Sequence, residues 1–190
     1  SWREVMQPLS QYGTVIAFDR QGFGLTERLL PGEWTGENPY TLDAQVETVF
    51  GLMDALGIER AVLVGHSAGG TVAVAAALRE PERVMGLIMV DAAIYNSGGA
   101  PAWARPLLKT PQLDRLGPLF VRSLAGEQGI RFLQSAWHNP GNIEAEIMAG
   151  YRKPLQVDHW DIALWEFTKA SKTSDLSEQL SLIRQPALVI

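Results

Sequence analysis

Apolar residues fall into two patterns along this chain. The first is a set of short unbroken runs: Thr14-Val15-Ile16-Ala17-Phe18, Ala61-Val62-Leu63-Val64, Val84 to Val90, and Ala187-Leu188-Val189-Ile190. These runs are rich in β-branched residues and lack polar alternation. They predict strands buried on both faces. The second pattern is helical. Leu42, Val46, Val49, Met53 and Leu56 recur at spacings of 4, 3, 4 and 3, with Thr41 placed to cap the start and Gly57 to end it. Residues 2–12 read as a short helix and 68–79 as another, stopped by Pro81. The segment 28–40 carries Pro31, Gly32, Gly36 and Pro39 and reads as loop. Strands alternating with helices predict an α/β protein, with a parallel sheet flanked by helices on both faces.

From Asn96 the rhythm stops. Residues 96–118 are dense in proline and glycine, residues 119–170 are helix-like, and no further strand is expected before Ala187. We read 1–95 as the first part of a core, 96–175 as an inserted helical cap or lid, and 176–190 as the core resuming. An insertion above the carboxyl ends of parallel strands sits where open α/β sheets bind ligands. Four of the six tryptophans lie in it, at 103, 137, 160 and 165. Aromatic side chains commonly line ligand pockets, so Trp137 and Trp160 are candidate substrate contacts.

The stretch with the clearest chemistry is Gly65-His66-Ser67-Ala68-Gly69, between the 61–64 strand and the 68–79 helix. Strand, sharp turn and helix around G-x-S-x-G make a nucleophile elbow. So tight a turn predicts small residues on both sides of the serine, and glycine stands at both. Ser67 is the candidate nucleophile. The Ala68 N–H, at a helix N-terminus, is the candidate oxyanion donor. His66 is a candidate substrate contact. A phosphate-cradling loop is the competing reading of a glycine-rich turn, but neither G-x-x-x-x-G-K-[ST] nor G-x-G-x-x-G is present here.

Composition narrows the function further. Net charge is −5 with no basic block, which disfavours a nucleic-acid partner. The chain has no cysteine, so disulfides and thiolate metal sites are excluded. No apolar run approaches the ~20 residues of a membrane span. The expected partner is a small-molecule substrate, with no cofactor and no metal, and the expected location is cytoplasmic.

Several stretches together resemble the α/β-hydrolase superfamily, in its cap-bearing branch with a serine nucleophile. They are the elbow Gly65 to Gly69, the loop Phe18-Asp19-Arg20-x-Gly22-x-Gly24-x-Thr26, the Pro81-Glu82-Arg83-Val84 step, the strand Leu87 to Asp91, and the run Pro186 to Ile190. The resemblance implies a further strand between 14–18 and 61–64 in the sheet. It also implies a His-Gly loop upstream of residue 1, an acid just past Ile190 and a later catalytic histidine. On that view the chain is an internal fragment, inactive and unstable by itself. Asp91, at a strand end, is a candidate alternative acid, although a loop-capping role is the simpler reading. Asp19 and Arg20 read as a structural pair, and Gly22 and Gly24 as tight-turn residues. His138 and His159 fall in the inserted segment and are poor candidates for a base. Ser67, where some relatives carry Asp, argues against epoxide hydrolase or dehalogenase chemistry. The expected reaction is hydrolysis of a small to medium apolar ester, lactone or C–C ketone. The alternative is a ligand-binding protein that keeps the pocket without the chemistry.

Overall fold

A computed structural model describes residues 2–95, 103, 105–108, 110–171 and 176–190. Helix α1 (Arg3–Leu9) opens the chain and buries none of its residues. Helix α2 (Leu42–Ala55) follows a long irregular stretch. The Thr41 Oγ1 caps it by accepting from the Ala44 N–H at 3.2 Å, and Gly57, at φ 66°, ends it. Strand β1 (Ala61–His66), helix α3 (Ala68–Arg79) and strand β2 (Val84–Val90) form a continuous strand–helix–strand unit. Pro81 begins the single turn between α3 and β2. Helices α4 (Arg105–Leu108), α5 (Pro111–Leu124), α6 (Glu127–Ser135), α7 (Ala145–Arg152) and α8 (Trp160–Ala170) come next. Helix α9 (Leu176–Gln179) and strand β3 (Ala187–Val189) close the chain.

The three strands form one parallel sheet in the order β1-β2-β3, with Val64 opposite Ile88 and Ile88 opposite Leu188. The core lies on one side of it. Ala61 and Leu63 pack on Val46, Val49, Phe50 and Met53 of α2 and on Val72 and Ala76 of α3. Val84 and Leu87 pack on Ala73, Val74 and Ala77 of α3, with Ile94 and Leu176 beside them. The α2 stripe is shifted from the one expected: Phe50 is buried, whereas Leu56 is exposed.

The structure departs from the sequence reading in two places. The run 14–18 forms no strand, and Ile16 and Phe18 are exposed. Among the described residues, helices also cover only one face of this three-stranded parallel sheet. Val62, Val64 and Leu188, on the side away from α2 and α3, are exposed. A strand exists only where a neighbour takes its N–H and C=O groups. No described strand lies beside 14–18, so its apolar residues have neither ladder nor layer to join.

The described residues between 103 and 171 form helices and turns, with no strand among them. The expected limits of the inserted segment, at 96–102 and 172–175, lie outside the described residues. No described helix is long and apolar enough to cross a membrane.

Candidate active site

The turn between β1 and α3 is one residue long. Ser67 takes φ 50° and ψ −120°, which L-residues rarely occupy, and α3 begins at Ala68. The surroundings hold that conformation. The Ser67 N–H donates to the Val90 carbonyl at 3.0 Å, and the Ser67 carbonyl accepts from Gly70 N–H at 2.9 Å and Ala93 N–H at 3.1 Å. With its backbone tied to β2 and its continuation, the hydroxyl is left free. It does not cap α3 and has no hydrogen-bond partner among the described residues. Ala68 is the first residue of α3, so its N–H has no intrahelical acceptor.

The crowding at the elbow is real but differently placed from the sequence reading. A methyl on Gly65 would meet Gly69 O at 2.4 Å and Gly70 N at 2.5 Å. Gly69, the second glycine of the motif, has open space instead. The other crowded position is Gly70, which faces Ala92. Two glycines are needed, at 65 and 70, because α3 must start directly beneath the end of β1 and against the segment after β2.

His66 ends β1 and is exposed, on the same side of the strand as Val62 and Val64. It therefore does not pack beside the strand. In register it faces Val90, so Ser67 and Asp91 each follow the end of adjacent strands. Asp91 also has a positive φ, 45°, and its N–H donates to Ile190 O at 2.9 Å. Its carboxylate is exposed and has no partner among the described residues, so the expected loop-capping role is not seen.

The glycine-punctuated loop is organised by side chains rather than by ladder bonds. Asp19 Oδ2 accepts from Leu25 N–H at 2.8 Å, and Asp19 O accepts from Thr26 Oγ1 at 2.6 Å. Gly24, at φ 55°, leaves the space Asp19 fills, since a Cβ there would lie 1.8 Å from Asp19 Cγ. Arg20 does not pair with Asp19. It donates to Gln45 Oε1 and lies 4.7 Å over the Phe23 ring. Burial lowers the Arg20 pKa below that of an ordinary guanidinium. Arg28 is buried and donates to the carbonyls of Phe23, Gly24 and Thr26. Burial lowers its pKa too, against opposing pulls from Tyr40 and Asp19. Neither Arg28 nor Gln45 stands out in the sequence, because their partners are loop carbonyls and a distant side chain.

Helix α8 packs on this loop, where Phe167 meets Phe23 edge-on at 4.9 Å. It also packs on α5. Trp165 is buried, lies against Gly117 and donates Nε1–H to Asp114 Oδ1 at 3.3 Å. Lys169 bridges Asp114 and the buried Glu166, the latter at 2.7 Å. Arg122 pairs with the buried Asp161 at 2.7 Å. An open cleft of about 460 Å³ runs between α5, α8 and residues 30–31 and includes Trp165 in its wall, but no elbow residue lines it. Trp137 and Trp160 are half-buried and Trp103 is exposed. Among the described residues no hydrogen bond or ring contact joins Trp137 or Trp160 to the elbow. His138 and His159 are exposed. No described cluster of His, Asp or Glu has the makings of a metal site.

Residues 1–123 match the family model described as alpha/beta hydrolase fold. The chain is 43% identical over 163 residues to a 2-hydroxymuconate semialdehyde hydrolase of Pseudomonas putida, covering 81% of this chain and 54% of that protein. It is 27% identical over 190 residues to the hydrolase YugF of Bacillus subtilis (strain 168), covering 100% of this chain and 66% of that one. Among solved structures, the enol-lactonase from Burkholderia xenovorans LB400 superposes with a TM-score of 0.68 at 26% identity, over 99% of this chain and 65% of its own. The chain thus spans between about half and two thirds of these relatives' lengths. With the parallel strand–turn–helix unit that carries Ser67, the match over the core places this chain in the α/β-hydrolase fold family.

Proposed function

We propose that the protein to which this chain belongs is a serine hydrolase of small to medium apolar esters, lactones or C–C ketones, with Ser67 as nucleophile. The observation that carries this reading is the backbone of Ser67. It sits at φ 50° in a one-residue strand-to-helix turn, with its hydroxyl uncommitted. Strain of this kind persists only where surrounding structure enforces it, and it concentrates at functional sites. Relatives named as a semialdehyde hydrolase and an enol-lactonase support the substrate range.

In the proposed reaction the Ser67 Oγ attacks the substrate carbonyl and forms a tetrahedral intermediate. The Ala68 N–H donates to the oxyanion. Collapse expels the leaving group and leaves an acyl-Ser67, which water hydrolyses. The proton acceptor is a histidine outside residues 1–190, because His66, His138 and His159 have no contact with the Ser67 hydroxyl among the described residues. The second oxyanion donor and the usual acid are proposed to lie outside too, with Asp91, just after the strand beside Ser67's, as the alternative acid. Residues 96–175 act as the cap, and Trp137 and Trp160 of the cap, with His66 at the end of β1, are the proposed substrate contacts.

The test is Ser67→Ala in the full-length protein, assayed on p-nitrophenyl esters and on a ring-fission ketone. Turnover should fall by about three orders of magnitude or more, with the thermal transition unchanged. Undiminished turnover overturns the nucleophile assignment. A full-length protein that binds these compounds but never turns them over supports the ligand-binding alternative.

A further inference from the structure

The backbone just after β2 folds onto the elbow instead of continuing the strand. Asp91 turns the chain at φ 45°, and its N–H donates to the Ile190 carbonyl at 2.9 Å. The Ile94 N–H donates to the Ala92 carbonyl, also at 2.9 Å, which closes a three-residue turn with Ala93 at its centre. Ile94 is buried with Ala73, Val74 and Ala77 of α3, so the far end of the turn is anchored in the core. Both backbone groups of Ala93 bond to the elbow and its helix. The Ala93 N–H donates to the Ser67 carbonyl at 3.1 Å, and the Ala93 carbonyl accepts from Thr71 Oγ1 at 3.1 Å.

Thr71 is the fourth residue of α3, one turn past Ser67. A helical threonine can turn its hydroxyl back on the carbonyl four residues earlier, which here is that of Ser67. Thr71 bonds across to Ala93 instead. The Ser67 carbonyl accepts from two N–H groups, that of Gly70 at 2.9 Å and that of Ala93 from the segment after β2. This carbonyl belongs to the same peptide unit as the Ala68 N–H. The unit is trans, so it is planar and its C=O and N–H point in opposite directions. Whatever fixes the Ser67 carbonyl therefore fixes the direction of the Ala68 N–H. Stabilisation of an oxyanion depends on that direction, because a hydrogen bond weakens steeply as its angle closes.

We propose that Thr71 is a positioning residue for the oxyanion donor: by holding Ala93 it holds the Ser67 carbonyl and so aims the Ala68 N–H. The proposal rests on the reading of Ser67 as nucleophile and adds to it a side chain that touches no substrate. The test compares Thr71→Val, Thr71→Ser and Ser67→Ala in the full-length protein on a p-nitrophenyl ester. The active sites of the Thr71 variants are counted by fluorophosphonate labelling, so that unfolded molecules do not enter kcat. Valine keeps the branched shape and removes the hydroxyl, and serine keeps the hydroxyl. Outright loss of an oxyanion donor lowers kcat about a hundredfold or more, so a donor that is only misdirected should lower it about tenfold in Thr71→Val, with KM changed less than about twofold. Binding of a trifluoromethyl ketone, whose adduct with Ser67 carries the oxyanion, should weaken by the same factor. Thr71→Ala, which also lacks the hydroxyl and takes no more room, should repeat the loss. Thr71→Ser should restore kcat to within about twofold of wild type. Full kcat per labelled site in Thr71→Val and Thr71→Ala overturns the proposal, as does a loss that Thr71→Ser does not restore or one carried by KM alone. These outcomes bear on Thr71 by itself when Ser67→Ala is inactive. A Ser67→Ala protein that keeps its turnover overturns the nucleophile reading, and the positioning role with it.

Discussion

Gly70 and Ala92 touch across the elbow: a methyl on Gly70 would stand 2.4 Å from the Ala92 Cβ and 3.0 Å from its Cα. Neither atom is the tip of a flexible side chain, so the backbone after β2 would have to move. Gly70→Ala should therefore destabilise the fold by about 1–3 kcal/mol, and Gly65→Ala by at least as much, since its neighbours are all backbone. Gly69→Ala has free space on the first turn of α3 and should be neutral or stabilising by up to ~1 kcal/mol. Urea midpoints of the three variants check this, and the ranking matters more than the values.

Ser67 holds a conformation that glycine adopts without strain. Ser67→Gly should stabilise by about 1 kcal/mol, whereas Ser67→Ala, which keeps a Cβ, should not. A comparison of thermal transitions decides it. If Ser67→Gly melts below wild type, the turn is not strained in solution.

In the glycine-punctuated loop, Asp19 and Gly24 occupy one space between them. Asp19→Ala removes the acceptor of the Leu25 N–H and should cost about 1 kcal/mol at this exposed position. Gly24→Ala should cost more, because its φ is 55° and its Cβ would overlap the Asp19 carboxylate. The double variant Asp19→Ala/Gly24→Ala should recover the steric part and leave only the strain of a positive φ. Equal losses from Gly24→Ala and the double variant would refute the overlap.

Alkaline pH should loosen the fold. Burial raises the Tyr40 pKa, against lowering by Gln21 and Arg28. For Lys169, burial alone would lower the pKa, but the bonds to Asp114 and Glu166 outweigh it, and the net shift is upward. Both groups hold their proton more tightly folded than unfolded. Their contribution is therefore complete below the unfolded values of about 10 and 10.4, and fades as pH rises through the higher folded values. Denaturant midpoints should be level to about pH 9 and decline above about pH 10. In Tyr40→Phe the decline should be shallower, from a lower starting stability, because Leu29 O loses the Tyr40 hydroxyl that donates to it at 2.7 Å.

Lys169 is the only cation bonded to Glu166 among the described residues, and Glu166 is 5% exposed. Lys169→Met should cost about 3 kcal/mol at neutral pH by leaving that carboxylate uncompensated. The double variant Glu166→Leu/Lys169→Met should recover much of the loss, because neither charge is then buried. Equal loss in both would mean that Lys169 acts through Asp114 rather than Glu166.

The sequence by itself determined whatever is written in adjacent residues. Thr41 capping α2, Gly57 ending it, Pro81 stopping α3, and the β2 and β3 runs are local statements of dihedral preference and hydrophobic period. The strand–turn–helix around Ser67 is of the same kind, so the α/β unit and its nucleophile candidate were legible without coordinates. Tertiary structure decided what depends on a neighbour far along the chain. The run 14–18 has the composition of a strand but no partner to bond, so it forms none. Which glycine beside Ser67 is crowded depends on Ala92, more than twenty residues away, and the requirement falls on Gly70 instead of Gly69. Lys169 reads as an ordinary surface charge in sequence, and only folding brings it to Asp114 on another helix, fifty-five residues away. Hydrophobic period fixes an element's type within a few residues, whereas pairing, crowding and charge compensation are set by contacts that exist only once the chain has closed on itself.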